Sequence, residues 1–122
     1  MRAELKQLHS PDIYDLDSFQ PKDPSNFGFL LQAMIGIEGE EGEESFDIMV
    51  FTPEWLKSNY AKGDIIWGRH SIIVFEYNIK LIRHHIEKYI EECVGENWQQ
   101  IADRLARIGK WEFEDYKPYR PC

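Results

Sequence analysis

Apolar and polar residues alternate along three segments in the first half of the chain. Residues 2–8 alternate over a short stretch, and residues 27–37 place an apolar side chain at every odd position. In residues 45–52 the side chains of Phe46 and Ile48 fall on one face. A two-residue period is typical of strands that bury one face. The pattern predicts three strands, and the second and third form a hairpin around a glycine-containing loop.

The other face of these strands is only partly polar. It carries the apolar side chains of Leu30, Met34, Met49 and Phe51. We expect the irregular segment 10–26, which is rich in Asp, Ser and Pro, to cover them. If it does not, this face is a surface for a partner or for a homodimer, because large exposed apolar patches mark interaction sites.

Helix signals begin at Thr52, where an N-cap threonine precedes Pro53 at the first helical position. They predict a short helix after the third strand. A further strand is predicted within residues 65–77, most clearly at residues 72–75.

Two longer helices are predicted in the rest of the chain. Asn78 can cap the first, whose apolar residues recur at helical spacing and which Gly95 ends. Asn97, with a glutamine three residues later, resembles a capping box for the second, which Gly109 ends. The order of elements predicts an α+β fold in a single domain of residues 1–122. Its mainly antiparallel sheet has four strands or slightly more, with two C-terminal helices on one face and a short helix after the third strand.

The loop of the predicted hairpin is strongly acidic. Residues 36–44 read GIEGEEGEE, and their five glutamates repel one another and are costly to bury. Residues 1–60 carry 12 acidic and 4 basic side chains, whereas residues 61–122 carry 10 of each. The formal charge of −8 therefore belongs to the first half of the chain. We expect the loop to project into water and to give the molecule a lopsided electric field.

Catalytic and metal-binding patterns are weak. The four histidines are His9, His70, His84 and His85. The last two are neighbours on a predicted helix, where side chains diverge by about 100° and do not share a metal ion. No Ser or Cys nucleophile motif accompanies His70. The alternative interpretation of the acidic loop is a calcium-binding site. The loop, however, lacks the alternating Asp/Asn pattern of helix–loop–helix calcium sites. The sequence predicts no catalytic residue, no metal and no cofactor.

Composition narrows the class of partner. The basic residues of the second half are spread among equal numbers of acids, so a nucleic-acid footprint is not expected. The apolar runs are too short to span a bilayer, and the two cysteines suggest no disulfide framework. We expect a cytoplasmic domain. An acidic surface complements a basic protein, and because it imitates the charge of nucleic acid it suits an inhibitor of a nuclease.

Three segments together resemble one protein family. They are EESFDIMVFTPEWL at residues 43–56, GRHSIIVFEY at residues 68–77 and IGKWEFEDY at residues 108–116. In this order and spacing they are similar to the immunity protein 8 family, over about residues 27–117. The resemblance implies an antitoxin of a bacterial polymorphic-toxin or contact-dependent inhibition system. Such a protein binds the C-terminal toxin domain and protects the producing cell and its siblings, and the resemblance assigns no contact residues.

Contact residues are therefore predicted from charge. The first candidate patch for toxin binding consists of Glu38, Glu40, Glu41, Glu43 and Glu44. The second consists of Glu112, Glu114 and Asp115, which alternate with aromatic residues as interface anchors do. Arg69 and His70 are expected to pair internally with acids. The alternative function is a small metal-dependent or histidine-based hydrolase that uses His70 with nearby carboxylates.

Overall fold

A mainly antiparallel sheet organises the chain, and the computed structural model describes residues 1–114 of it. The strands are β1 (Ala3–His9), β2 (Gly28–Ile37), β3 (Glu44–Phe51), β4 (Ser71–Ile73) and β5 (Lys110–Trp111). The helices are α1 (Pro53–Asn59), α2 (Ile79–Glu91) and α3 (Trp98–Leu105). The predicted α+β class is confirmed, including the short helix after the third strand and the two C-terminal helices.

The first three strands pair as consecutive antiparallel neighbours, in the order β1-β2-β3. Phe29 lies opposite Val50 and Leu31 lies opposite Ile48, and all four side chains are buried. Successive residues of a strand point to opposite faces, so these four share the face that packs against the helices. The predicted hairpin and its buried face are confirmed.

The outer edge of β3 is divided between two short strands. β4 pairs with its C-terminal end in parallel, with Met49 opposite Ser71, and β5 pairs with its N-terminal end antiparallel, with Phe46 opposite Trp111. The predicted strand at residues 72–75 therefore exists, although it runs from 71 to 73. Neither the parallel pairing nor β5 was predicted, because strands of two or three residues show no periodicity.

Side chains cap the helices at the predicted residues. Thr52, Asn78 and Asn97 each accept a hydrogen bond from a backbone N–H in the first turn that follows. The reciprocal bond of the predicted capping box is displaced by one residue, because the side-chain oxygen of Gln100 accepts from the N–H of Glu96, 2.9 Å away. α3 ends at residue 105 and continues as turns up to 109, so it is shorter than predicted.

The core lies between the sheet and the two C-terminal helices. α2 contributes Ile82, Ile86 and Ile90, and α3 contributes Ile101 and Leu105, all buried. They belong to one cluster with the inner side chains of β2 and β3. Just after α2, burial raises the pKa of the Cys93 thiol above its ordinary value, so this cysteine stays a neutral core residue. No helix within the described chain is long and apolar enough to cross a membrane.

The segment 10–26 extends this core and does not close the other face of the sheet. Leu16 is buried, and the Phe19 ring meets the ring of Phe29 edge-on with centroids 5.9 Å apart. The Tyr77 hydroxyl donates to the Leu16 carbonyl at 2.6 Å. Because Phe29 faces the helices, these contacts lie on the helix side of the sheet. The segment 10–26 was expected to cover the second face, whereas these apolar contacts lie on the opposite face.

The apolar side chains on the second face differ in how far they are buried. Leu30, Met34 and Met49 are only partly buried. Phe51 is buried because Trp55 of α1 stacks on it, with ring centroids 5.9 Å apart. The short helix after β3 thus supplies part of the cover that was expected from the segment 10–26.

Candidate functional site

The acidic loop joins β2 to β3 and spans residues 38–43. Gly39 and Gly42 have φ angles of 81° and 102°, a left-handed region that side chains rarely occupy. The N–H of Glu40 donates to the carbonyl of Ile37 at 3.1 Å and closes the first turn. The two glycines therefore serve the shape of the turn, and we call residues 38–43 the acidic loop.

Hydrogen bonds from β1 and from Arg2, the residue before it, hold the acidic loop in place. The Lys6 ammonium donates to the Glu40 carbonyl at 2.8 Å and also pairs with the Glu4 carboxylate at 2.8 Å. The N–H of Glu38 donates to the carbonyl of Arg2 at 2.8 Å. Both contacts to the loop are made with its backbone and not with its side chains. The loop is thus a fixed platform and not a loose connection.

Four glutamates of the acidic loop are exposed: Glu38, Glu40, Glu41 and Glu43. Glu43 accepts a hydrogen bond from the Gln7 amide at 3.1 Å. Within residues 1–114, the other three carboxylates make no hydrogen bond or ion pair. The structure therefore presents four negative groups to water on a backbone of defined shape.

Glu44 differs from the other four glutamates of the first candidate patch. It is partly buried, and its Oε2 accepts hydrogen bonds from the indole N–H groups of Trp98 and Trp111, each at 2.7 Å. The Phe46 ring stacks on Trp111 and meets Trp98 edge-on, with centroids 6.3 and 6.4 Å away. We call Glu44 with its two indoles the Glu44 clamp, and it fastens α3 and β5 to the base of the hairpin.

The second acidic group adjoins this base. The Glu112 carboxylate accepts from the N–H of Ser45 at 2.8 Å, and its own N–H donates to the Ser45 carbonyl at 3.1 Å. Glu114 forms an ion pair with Arg69 at 2.6 Å. Asp115, the third predicted member, lies outside the described residues. The structure therefore brings Glu112 beside the start of β3, next to the first group, and engages Glu112 and Glu114 in internal contacts.

An open pocket of about 700 Å³ lies beside the Glu44 clamp. Aromatic and acidic side chains line it: Trp98, Trp111, Phe113, Glu44, Asp103 and Glu114. Aromatic faces and carboxylates both attract cations, and a lysine or arginine side chain brings the apolar stem that such walls also accommodate. This acidic aromatic pocket, which the sequence did not reveal, suits a basic side chain from another protein.

Arg69 and His70 pair internally, as predicted. The Arg69 guanidinium reaches Glu114, and the Nε2 of His70 lies 2.7 Å from the carbonyl of Ala106, at the end of α3. Glu114 lies 3.9 Å from the same nitrogen. His70 itself has a φ of 59°, in the left-handed region. These contacts tie the start of β4 to the end of α3, so the side chains that a hydrolase would use serve the fold.

The other histidines are dispersed. His9 contacts the side chain of Gln32 at 3.0 Å, and His84 and His85 are exposed on α2. Across the described part of the chain, no group of three or more His, Cys, Asp or Glu side chains could hold a metal ion.

Comparison with known proteins identifies a family. The family model described as immunity protein 8 matches residues 3–116 of the 122-residue chain. The match includes both candidate acidic groups and the Glu44 clamp. No curated protein and no solved structure matches the chain.

Proposed function

The chain belongs to the immunity protein 8 family, and on that premise we propose that it binds and neutralises a cognate toxin domain with nuclease activity. Membership of an immunity protein family implies a toxin partner and a role in binding. We further propose that the protein acts in the cytoplasm, as part of a contact-dependent or polymorphic-toxin system.

The exposed and fixed acidic loop is the observation that carries the nuclease part of the proposal. Four carboxylates project from six residues whose backbone is held by β1, on a chain of net charge −8. A nuclease has a basic cleft because it binds phosphates. A negative surface of fixed shape steers such a cleft towards it and competes with nucleic acid for it.

The contact residues follow from what each carboxylate already does. Glu38, Glu40, Glu41 and Glu43 are assigned to toxin contact because they face water. Glu44 supports that surface from below, since its oxygen is taken by two indoles.

The second acidic group contributes the rim of the proposed contact surface. Glu114 lines the acidic aromatic pocket, into which a lysine or arginine of the toxin inserts, and Glu112 lies beside the start of β3. Asp115 stays a candidate from charge alone.

The function is tested by a search for a toxin gene directly upstream, followed by co-expression of its toxin domain with this chain. We expect this chain to rescue growth and to form a 1:1 complex with that domain. Failure of the wild-type chain both to rescue and to bind would overturn the proposal. His70→Ala is expected to rescue as well, provided that it folds. Loss of rescue by a folded His70→Ala variant would favour the hydrolase alternative instead.

Charge reversal tests the assignment of the acidic loop. Lysine at all four exposed positions of the loop should slow association by at least about 10-fold at low ionic strength and flatten its salt dependence. A matched control reverses four exposed acids elsewhere, at Glu54, Glu91, Glu92 and Glu96. If both variants slow association equally, net charge alone is responsible and the loop assignment is wrong.

A further inference from the structure

A second exposed surface lies away from the acidic loop and has the opposite chemistry. It is made of the exposed apolar side chains of Phe75 (76% exposed), Leu81 (65%) and Ile73 (57%), and the loop before β4 also exposes Ile65 (94%) and Trp67 (92%). Scattered single apolar residues are ordinary on a protein surface, but a tryptophan almost wholly in water is not. We call Ile73, Phe75 and Leu81, which line one groove, the β4 apolar surface.

A groove runs between β4 and α2 within this surface. It measures about 520 Å³, and Ile73 and Phe75 line one wall while Leu81, His85 and Lys88 line the other. The groove is therefore open to a chain segment that approaches along the strand. Its apolar floor supplies the contact area from which most interface energy comes.

The backbone of β4 has an unpaired edge along this groove. The His70 carbonyl accepts from Met49 and the Val74 N–H donates to Phe51, at 2.9 and 3.0 Å. In a parallel ladder these bonds point the backbone N–H and C=O groups of Ile72 towards β3. The backbone N–H and C=O groups of Ser71 and Ile73 then point away from β3. Within the described chain, the backbone groups of Ile73 have no partner on that outer side.

The charge of the groove favours one kind of occupant. Its α2 wall exposes His84, His85 and Lys88, with Glu76 as the acidic residue of the lining. Lys88 makes no ion pair within the described chain. A segment that carries a carboxylate beside Lys88 therefore gains an ion pair.

We propose that β4 receives an extended segment of the toxin as an added strand. The segment is apolar at alternate positions and carries a carboxylate that faces Lys88. Its backbone bonds to Ser71 and Ile73, and its side chains cover Phe75 and Leu81, which is how exposed sheet edges recognise peptides. This inference rests on the proposed function, and it adds to the acidic loop a second contact that supplies affinity where the loop supplies steering.

Surface variants test the inference with the purified toxin domain that this chain neutralises in the co-expression experiment. Phe75→Ser with Leu81→Ser should raise the Kd of the complex by about 10- to 100-fold, because buried apolar anchors carry most binding energy. Both side chains are exposed in the free protein, so the midpoint of thermal unfolding should stay unchanged. The matched control replaces Tyr14 (107% exposed) and Val94 (47%), two other exposed large side chains that do not line the groove.

Two further measurements separate strand addition from simple apolar contact. On binding, the amide of Ile73 should exchange with deuterium at least about 10-fold more slowly, because it gains a hydrogen-bond partner. Lys88→Glu should weaken binding, whereas Lys62→Glu on the exposed loop should not.

The outcomes distinguish this inference from the function on which it rests. If the wild-type chain binds the toxin and the Phe75/Leu81 variant binds equally well, the added strand is wrong and the function stands. If the variant instead changes self-association in sedimentation experiments, a second copy occupies the groove and the inference is overturned. If the wild-type chain does not bind the toxin, both the added strand and the proposed function are wrong.

Discussion

The acidic loop, which is the tip of the β2–β3 hairpin, and the Glu44 clamp, which is its base, use glutamate in opposite roles. Glu41 and Glu44 stand three residues apart in one acidic run. Glu41 is exposed and has no bonding partner in residues 1–114, whereas Glu44 is partly buried and binds two tryptophans. A run of like charges in a sequence therefore does not define one surface. Partners distant in sequence decide which of its members are free to meet another protein.

Solvation explains the difference. A carboxylate leaves water at a large cost unless donors in the protein replace the lost hydrogen bonds. The two indole N–H groups do so for Glu44, and they would themselves be costly to bury without an acceptor. Among residues 1–114, no donor binds the carboxylates of Glu38, Glu40 or Glu41, and these side chains stay in water.

Removal of the Glu44 carboxylate should have the largest effect on stability. Glu44→Ala leaves two indole donors without their acceptor, and we expect the free energy of unfolding to fall by about 3 kcal/mol. Urea denaturation monitored by circular dichroism measures it. The control Glu41→Ala should change stability by less than about 0.5 kcal/mol. Equal losses in the two variants would contradict the contrast between tip and base.

Each indole of the Glu44 clamp should contribute about half as much. Trp98→Phe or Trp111→Phe removes one charge-assisted hydrogen bond and keeps most of the ring, so we expect a loss of about 1–2 kcal/mol. In the Glu44→Ala background the same change should cost less. A double-mutant cycle with a coupling energy near zero would show that the clamp does not bind as a unit.

The shape of the tip should depend on its glycines to a smaller extent. A Cβ at Gly42 meets nothing within 4 Å, so Gly42→Ala tests the positive φ alone and should cost about 1 kcal/mol. Gly63 is equally open but has no positive φ, so Gly63→Ala should leave stability unchanged or slightly raised. Thermal unfolding of both variants measures the difference, and equal midpoints would refute the role of the turn.

Neutralising the tip should affect folding least of all. Glutamine at Glu38, Glu40 and Glu41 relieves repulsion between exposed carboxylates, so stability should stay within about 0.5 kcal/mol and rise at low ionic strength. Unfolding at low and high salt measures this. A loss above about 1 kcal/mol would mean that the tip carboxylates support the fold, as Glu44 does.

The sequence predicts what local patterns encode. The alternation in β2 and β3 and the N-cap residues Thr52, Asn78 and Asn97 each act within a few positions, so hairpin and helices were predictable. The sequence could not predict that Glu44 is bound internally while the loop glutamates are exposed, because the indole partners of Glu44 lie 54 and 67 residues away.

Two further features escaped prediction for different reasons. The two residues of β5 are too few to show a period. The exposed pair Ile65 and Trp67 has the apolar pattern of a strand, and hydrophobicity alone cannot tell a buried apolar run from one exposed to water.

The division of the outer edge of β3 has a consequence for the order of folding. The hairpin closes through local contacts, which cost little loop entropy and form early. The edge strand β5 pairs with Phe46 only once residue 111 has joined, and Trp111 reaches Glu44 across 67 positions of chain. A nascent chain on the ribosome can therefore form the acidic tip before the base that fixes it. The base of the hairpin is completed only after Trp111 has been synthesised.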